Sequence, residues 1–140
     1  MSIFGSRKLV TILSVGFMHL LLSFSVYAAD SVKLAIVLQR TGVGADENLP
    51  AIKAAEMAIE DINASGGLLG RTLELVVIDN LGTPLGSKKA AQTAVESRVI
   101  AIIGAFRGSH CLAMAPVANK ARIPMITPTA TNPSVTAGNS

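Results

Sequence analysis

Apolar and polar positions divide residues 32–127 into two kinds of alternating segment. Four short runs are rich in β-branched and other apolar residues, a pattern typical of strands buried on both faces of a parallel sheet. These runs are Val32–Leu38, Leu73–Ile78, Val99–Ile103 and Met125–Thr127. Each segment between two runs is long enough for a helix that joins parallel strands.

The three intervening segments carry helix signals. The first helix is predicted over Pro50–Asn63, because Pro suits a first turn and apolar residues recur along one face. A second helix is predicted from the N-cap Thr83 to about Ser97. The third helix contains Pro116, which predicts a kink or a late start. Strands alternating with helices predict an α/β fold, a parallel sheet with helices on both faces.

The amino-terminal segment has the pattern of a secretory signal peptide. Arg7 and Lys8 precede a mostly apolar stretch over residues 9–24, and Val26 and Ala28 are small residues at the −3 and −1 positions of a cleavage site. The alternative is a membrane anchor, but the apolar run is shorter than the roughly 20 residues of a spanning helix. We therefore expect residues 1–28 to be removed and residues 29–140 to be released without an anchor.

Charge and cysteine content narrow the function classes. The chain has 12 Lys and Arg, 9 Asp and Glu and a formal net charge of +3. Two of the positive charges, Arg7 and Lys8, lie in the predicted signal peptide, so the remainder is near neutrality. This balance gives no electrostatic argument for a nucleic-acid partner. Cys111 is the only cysteine, so the chain can form no internal disulfide.

Candidate binding chemistry follows the third and fourth predicted strands. Thr127, Thr129 and Thr131 place hydroxyls after the fourth strand, and the carboxyl edge of an open parallel sheet is where ligands bind. Ser109 is predicted to be the N-cap of the third helix, whose N-terminus favours carboxylates. These groups suit a small ligand with a carboxylate or an amine. They supply no nucleophile with a base, so no enzymatic activity is expected.

No cofactor or metal is expected. His110 and Cys111 are adjacent but lack the further ligands of a metal site and the orienting third group of a catalytic thiol. Gly42 and Gly44 lack the third glycine of a dinucleotide-binding fingerprint.

Two stretches resemble a known family. They are AEMAIEDINASGGLLGRTLELVVID over residues 55–79 and IIGAFRGSHCLAMAPVANKARIPMITPTATNPSVT over residues 102–136. The chain resembles the N-terminal lobe of the periplasmic branched-chain amino-acid (Leu/Ile/Val)-binding proteins, the type I solute receptors of ABC importers. The resemblance extends from Val32 to about Thr136, and three separate motifs occur in the family's order and spacing.

The resemblance implies an exported, periplasmic component of an ABC importer for branched-chain or related amino acids. Family members clamp an amino acid between two lobes and dock on a membrane permease. Residues 29–140 match part of the N-terminal lobe only, so the expectation is an incomplete, truncated lobe behind a signal peptide at 1–28.

The family's ligand contacts can be transferred by position. The hydroxyl that holds the ligand carboxylate falls at Gly108, with Ser109 beside it. The carbonyl and hydroxyl contacts after the fourth strand fall at Thr129 and Thr131. Arg107 lies at the mouth of the implied site, where it could pair with a second carboxylate on a ligand or remain solvated. A disulfide common near the family's ligand loop is missing.

Two other functions remain open on the sequence. One is a ligand-sensing ectodomain with the same fold, which genomic neighbours would distinguish from a transport receptor. The other is an exported α/β enzyme, which needs an acid, base or nucleophile at the strand ends. Asp79 and a few hydroxyls are the only such groups found there.

Overall fold

A computed structural model of the chain describes residues 31–137. The signal peptide predicted over residues 1–28 lies outside this range. Among the described residues, no helix is both long and apolar enough to span a bilayer.

Strands and helices alternate along the described residues. The strands are β1 (Val32–Leu38), β2 (Leu73–Asp79), β3 (Ala101–Gly104) and β4 (Met125–Ile126). The helices are α1 (Leu49–Ala64), α2 (Pro84–Glu96) and α3 (Gly108–Ala121), followed by a short 3-10 helix at Pro133–Val135. The predicted order of elements is confirmed, and β1 has the predicted bounds.

The four strands form one parallel sheet in the order β2-β1-β3-β4. Val32 of β1 pairs with Leu73 of β2, and Leu34 of β1 pairs with Ala101 of β3. β4 pairs with β3 through Ile102 and Met125. Because all strands run the same way, their carboxyl ends and the loops that follow them lie at one edge.

Alternate residues of β1 face two different helix layers. Ile36 and Leu38 are buried against Ile52 of α1 on one face. Ala35 and Val37 belong to the cluster on the other face, where α2 and α3 pack. This second cluster includes Ala90, Ala91 and Ala94 of α2 and Cys111, Met114 and Ala118 of α3. The predicted α/β fold, with helices on both faces of a parallel sheet, is therefore confirmed.

Several predicted bounds differ from the structure, and three of the differences have a local cause. The third strand begins at Ala101 instead of Val99, although the Ile100 amide already donates to the Lys33 carbonyl at 2.9 Å. β4 ends at Ile126, because Thr127 turns toward the neighbouring loop. Of the kink or late start predicted from Pro116, the late start does not occur, because α3 begins at Gly108 and continues through Pro116, which is exposed. The kink stays a prediction.

Candidate functional site

The loops after β3 and β4 lie side by side at the carboxyl edge of the sheet. The Thr127 hydroxyl donates a hydrogen bond to the Ala105 carbonyl at 2.7 Å. The Thr129 hydroxyl donates to the Phe106 carbonyl at 2.9 Å. These two bonds join the loop that leads into α3 to the loop that leaves β4.

Gly108 brings the start of α3 against the end of the β4 loop. An ideal Cβ on Gly108 would lie 2.8 Å from the Cβ of Asn132, a closer approach than side chains tolerate. Asn132 directly follows Thr131, and Thr129 is bonded to the residue before Arg107. The structure therefore brings Arg107, Gly108, Thr129 and Thr131 to one surface. Ser109 is exposed beside them.

The N-cap of α3 is Arg107, so the prediction that Ser109 caps this helix is wrong. The Arg107 carbonyl accepts from the amides of His110 and Cys111, both at 3.0 Å, and this bonding makes Ser109 the second residue of the helix. Within residues 31–137, the amides of Gly108 and Ser109 and the hydroxyls of Ser109 and Thr131 make no hydrogen bond. Three of these donors belong to the first turn at the positive end of a 14-residue helix, and the fourth, the Thr131 hydroxyl, directly precedes Asn132 in the chain.

Cys111 is a structural residue. Its side chain is fully buried, and its Sγ lies 3.2 Å from both the amide nitrogen and the carbonyl oxygen of Ala105. These contacts hold the loop that Thr127 also binds. The residues that the structure describes contain no group of three or more His, Cys, Asp or Glu that could hold a metal ion.

Asp79, at the end of β2, binds the loops that follow β1 and β2 at the carboxyl edge of the sheet. Its carboxylate accepts from the Arg40 amide at 3.0 Å, the Leu81 amide at 2.8 Å and the Thr41 hydroxyl at 2.5 Å. Desolvation by burial raises the pKa of Asp79. The hydrogen bonds from Thr41, Arg40 and Leu81 outweigh it and hold that pKa below its usual value. Asp79 therefore fixes the loops after β1 and β2 to each other.

Asp79→Asn should lower the free energy of unfolding at pH 7 by about 1–2 kcal/mol, because hydrogen bonds to a charged acceptor become bonds to a neutral one. The pKa of Asp79 is lower in the folded state, so its ionised form stabilises the fold above the usual pKa of an aspartate. This contribution is lost as the pH falls through the folded-state pKa. Urea unfolding from pH 7 to pH 3 measures both effects.

The control is Asp61→Asn, because Asp61 is an exposed aspartate of α1 whose carboxylate makes no hydrogen bond within residues 31–137. It should leave the unfolding free energy at pH 7 almost unchanged. Equal losses for the two variants would contradict the role assigned to Asp79.

A small polar cavity of about 30 Å³ lies on the β1 side of the Arg107 loop. It is lined by Gln39, Glu47, Asn48, Asn80, Phe106, Arg107 and His110. His110 is buried, and desolvation together with the positive charge of Arg107 lowers its pKa, which favours the neutral imidazole.

Sequence reasoning missed most of this cavity. In the sequence, His110 is a candidate only for metal binding or for pairing with a catalytic thiol. The available signal was position: Gln39 follows β1 directly and Asn80 follows β2 directly, so both had to lie at the carboxyl edge.

Residues 31–140 match the family model for periplasmic binding proteins. The chain therefore belongs to the periplasmic binding protein family. The Leu/Ile/Val-binding protein of Escherichia coli K12 is 30% identical over 137 residues, which are 98% of this chain and 36% of that protein. An amino acid binding protein of Pseudomonas aeruginosa is 33% identical over 116 residues, covering 82% of this chain and 31% of the relative.

Solved structures agree with these relatives. LivJ, the branched-chain amino acid transporter substrate-binding protein of Streptococcus pneumoniae in complex with isoleucine, superposes with a TM-score of 0.74 at 29% identity. The match covers 78% of this chain and 32% of LivJ. The leucine-binding protein LivK of Thermotoga maritima gives a TM-score of 0.69 at 34% identity, over 76% of this chain and 30% of LivK.

These comparisons confirm the resemblance drawn from the sequence. They also confirm the type I periplasmic binding protein fold, of which residues 31–137 form a part. The relatives are named as amino-acid-binding or substrate-binding proteins. The chain spans about a third of the length of the curated relatives it matches.

Proposed function

We propose that this chain supplies one side of the amino-acid site of an exported receptor that serves an ABC importer. The observation that carries the proposal is the meeting of the β3–α3 loop and the β4 loop, with unused donors at the start of α3. The names of the relatives, Leu/Ile/Val-binding protein and amino acid binding protein, support the ligand class.

The α-carboxylate of the ligand binds at the N-terminus of α3. The free amides of Gly108 and Ser109 point out of the first turn, where the helix dipole favours a negative group. The hydroxyls of Ser109 and Thr131 are unused and can donate to the same carboxylate. Gly108 lacks a hydroxyl of its own, and its contribution is the backbone amide and the close approach to Asn132.

The α-ammonium group binds on the β4 side. The Thr129 hydroxyl donates its proton to the Phe106 carbonyl, so its oxygen interacts with the ligand as an acceptor. An ammonium group has three donors and no acceptor, which complements this oxygen. The two charged ends of one amino acid therefore meet groups of opposite hydrogen-bonding character.

The proposed role is binding without catalysis. Cys111 is buried and held by the backbone of Ala105, and His110 makes no hydrogen bond to a nucleophile within residues 31–137. A nucleophile needs a base within hydrogen-bonding reach, and Cys111 and His110 do not form such a pair.

Transport follows from closure. A ligand held at this edge contacts a second lobe in the longer relatives, and bridging both lobes stabilises the closed form. The closed receptor then docks on the membrane permease. In this proposal residues 1–28 direct export to the periplasm, and residues 29–140 are the N-terminal lobe portion that matches a leucine-binding-protein-like domain. Neither cofactor nor metal takes part.

Thr131→Ala should weaken the binding of L-isoleucine by about 1–3 kcal/mol, because a hydroxyl bonded to a charged group is lost. Titration of the ¹⁵N-labelled chain, followed by NMR, measures the dissociation constant. The wild-type value should be near millimolar, about −4 kcal/mol, because one side of a cleft leaves much of the ligand in water. The amides of Gly108 and Ser109 should shift most.

Thr93→Ala is the matched control. Thr93 is an exposed threonine of α2 whose hydroxyl bonds the Lys89 carbonyl, away from the carboxyl edge. It should leave the dissociation constant unchanged. An unchanged constant in Thr131→Ala would remove Thr131 from the site, and shifts that avoid Gly108 and Ser109 would place the ligand elsewhere.

A further inference from the structure

We propose that the polar cavity beside Arg107 receives the side chain of the ligand, and that this side chain ends in a carboxylate or a carboxamide. The inference rests on the proposed amino-acid site and specifies its substrate class. Arg107 connects the cavity to the proposed amino-acid site, because it lines the cavity and directly precedes Gly108 of the carboxylate-binding turn.

The lining of the cavity is unsuited to an aliphatic side chain. Six of its seven lining residues are polar, and Phe106 is the exception. Sites for apolar groups are lined mainly by apolar side chains, because a polar group that loses water without a partner is costly. The volume of about 30 Å³ has room for about two water molecules. That space matches the two terminal heavy atoms of an acid or amide group better than a branched hydrocarbon.

The deepest lining residues present unused hydrogen-bonding atoms. Asn80 is 1% exposed; its Oδ1 accepts the Gly82 amide at 3.0 Å, and its Nδ2 donates no hydrogen bond within residues 31–137. His110 is 6% exposed, and its imidazole makes no hydrogen bond there either. Every described side-chain nitrogen or oxygen that is sealed from solvent has a partner. The unpartnered atoms of Asn80 and His110 therefore remain in contact with solvent, and both residues line the cavity.

Arg107 adds a planar set of donors at the mouth. Its guanidinium forms no ion pair within the described residues, where the ion pairs are Lys33–Glu74 and Lys53–Glu56. A guanidinium binds the oxygens of a planar acid or amide with defined geometry. Asn80, His110 and Arg107 thus offer donors to one oxygen acceptor.

Acceptors lie on the side of the cavity formed by the segment before α1. Asn48 donates through its Nδ2 to the Gly44 carbonyl, which leaves its side-chain oxygen available, and Glu47 is exposed beside it. These oxygens suit the NH₂ of a carboxamide. A carboxylate is instead attracted by the positive charge of Arg107 and repelled by the negative charge of Glu47. The two end groups therefore use the same donors and differ in how they interact with the acceptors.

NMR titration of the full chain with L-glutamine, L-glutamate, L-leucine and L-lysine tests the inference. L-Glutamine or L-glutamate should bind about tenfold more tightly than L-leucine, because charge-assisted hydrogen bonds to Arg107 are available to them alone. Arg107→Met should remove this preference, and Arg107→Lys should retain part of it. His110→Phe, which keeps the ring and removes its nitrogens, should also reduce the preference.

The control is Arg40→Met, which removes an exposed arginine at the same edge that does not line the cavity. It should leave the preference intact. Tightest binding of L-leucine or L-lysine overturns the inference while leaving the proposed amino-acid site in place. A preference that survives Arg107→Met overturns the role of Arg107. Failure of all four amino acids to bind overturns the proposed function itself and, with it, this inference.

Discussion

Gly104→Ala should lower the free energy of unfolding by about 3–5 kcal/mol or prevent folding altogether, because steric collision and backbone strain add. Gly104 ends β3 at a φ of 131°, and an ideal Cβ there would lie 2.2 Å from the Val37 carbonyl oxygen. β1 cannot move aside, since β2 and β3 hold it on both sides. Urea unfolding followed by circular dichroism measures the loss.

Gly44→Ala separates the collision from the strain. Gly44 also has a positive φ, 84°, but no heavy atom lies within 4 Å of its ideal Cβ. This variant should lose only about 1–2 kcal/mol, the usual cost of a left-handed conformation for a residue with a Cβ. If the two variants lose the same amount, the contact with Val37 is not the cause.

Met114→Ala should lower the free energy of unfolding by about 2–5 kcal/mol, because truncation leaves a cavity in a packed core. Met114 is fully buried in the cluster formed by α2, α3 and one face of the sheet. Thermal and urea unfolding measure the change.

Met57→Ala is the matched control on another helix. Met57 of α1 is 54% exposed, so its truncation removes little packing and should change stability by less than about 1 kcal/mol. A Met57→Ala loss as large as that of Met114→Ala would show that the α2–α3 layer is not the main core.

The strands and helices could be predicted where one local signal dominates. β1 is a continuous apolar run because helices cover both of its faces, so its bounds are visible in the sequence. Thr83 is the predicted N-cap, and its hydroxyl accepts the Gly86 amide at 2.9 Å. The start of β3 was missed because Val99 is buried in the connection after α2, and burial alone does not distinguish a strand from a buried turn.

Much of the site depends on contacts between distant segments. Ser109 has the side chain that N-caps favour, yet the N-cap of α3 is Arg107, two residues earlier, because the loop from β3 is fixed by Thr127, Thr129 and Cys111. The resemblance supplied the surface that contains Gly108, Thr129 and Thr131, and their contacts with a ligand stay a proposal. Position along the chain predicts that Gln39 and Asn80 lie at the carboxyl edge. It does not predict that Asn80 and His110 line one cavity, because that depends on β1 lying between β2 and β3.

The central place of β1 also sets the order in which the chain can fold as it is made. β1 is synthesised first, but its partners begin at Leu73 and Ala101. No native strand pair can form until the ribosome has passed the end of β2. Before that point, the only native structure that the chain can form is local helix. Such late, long-range pairing slows folding. If residues 1–28 direct export, this delay keeps the emerging polypeptide unfolded and able to pass through a translocation channel. The sheet then forms on the far side of the membrane.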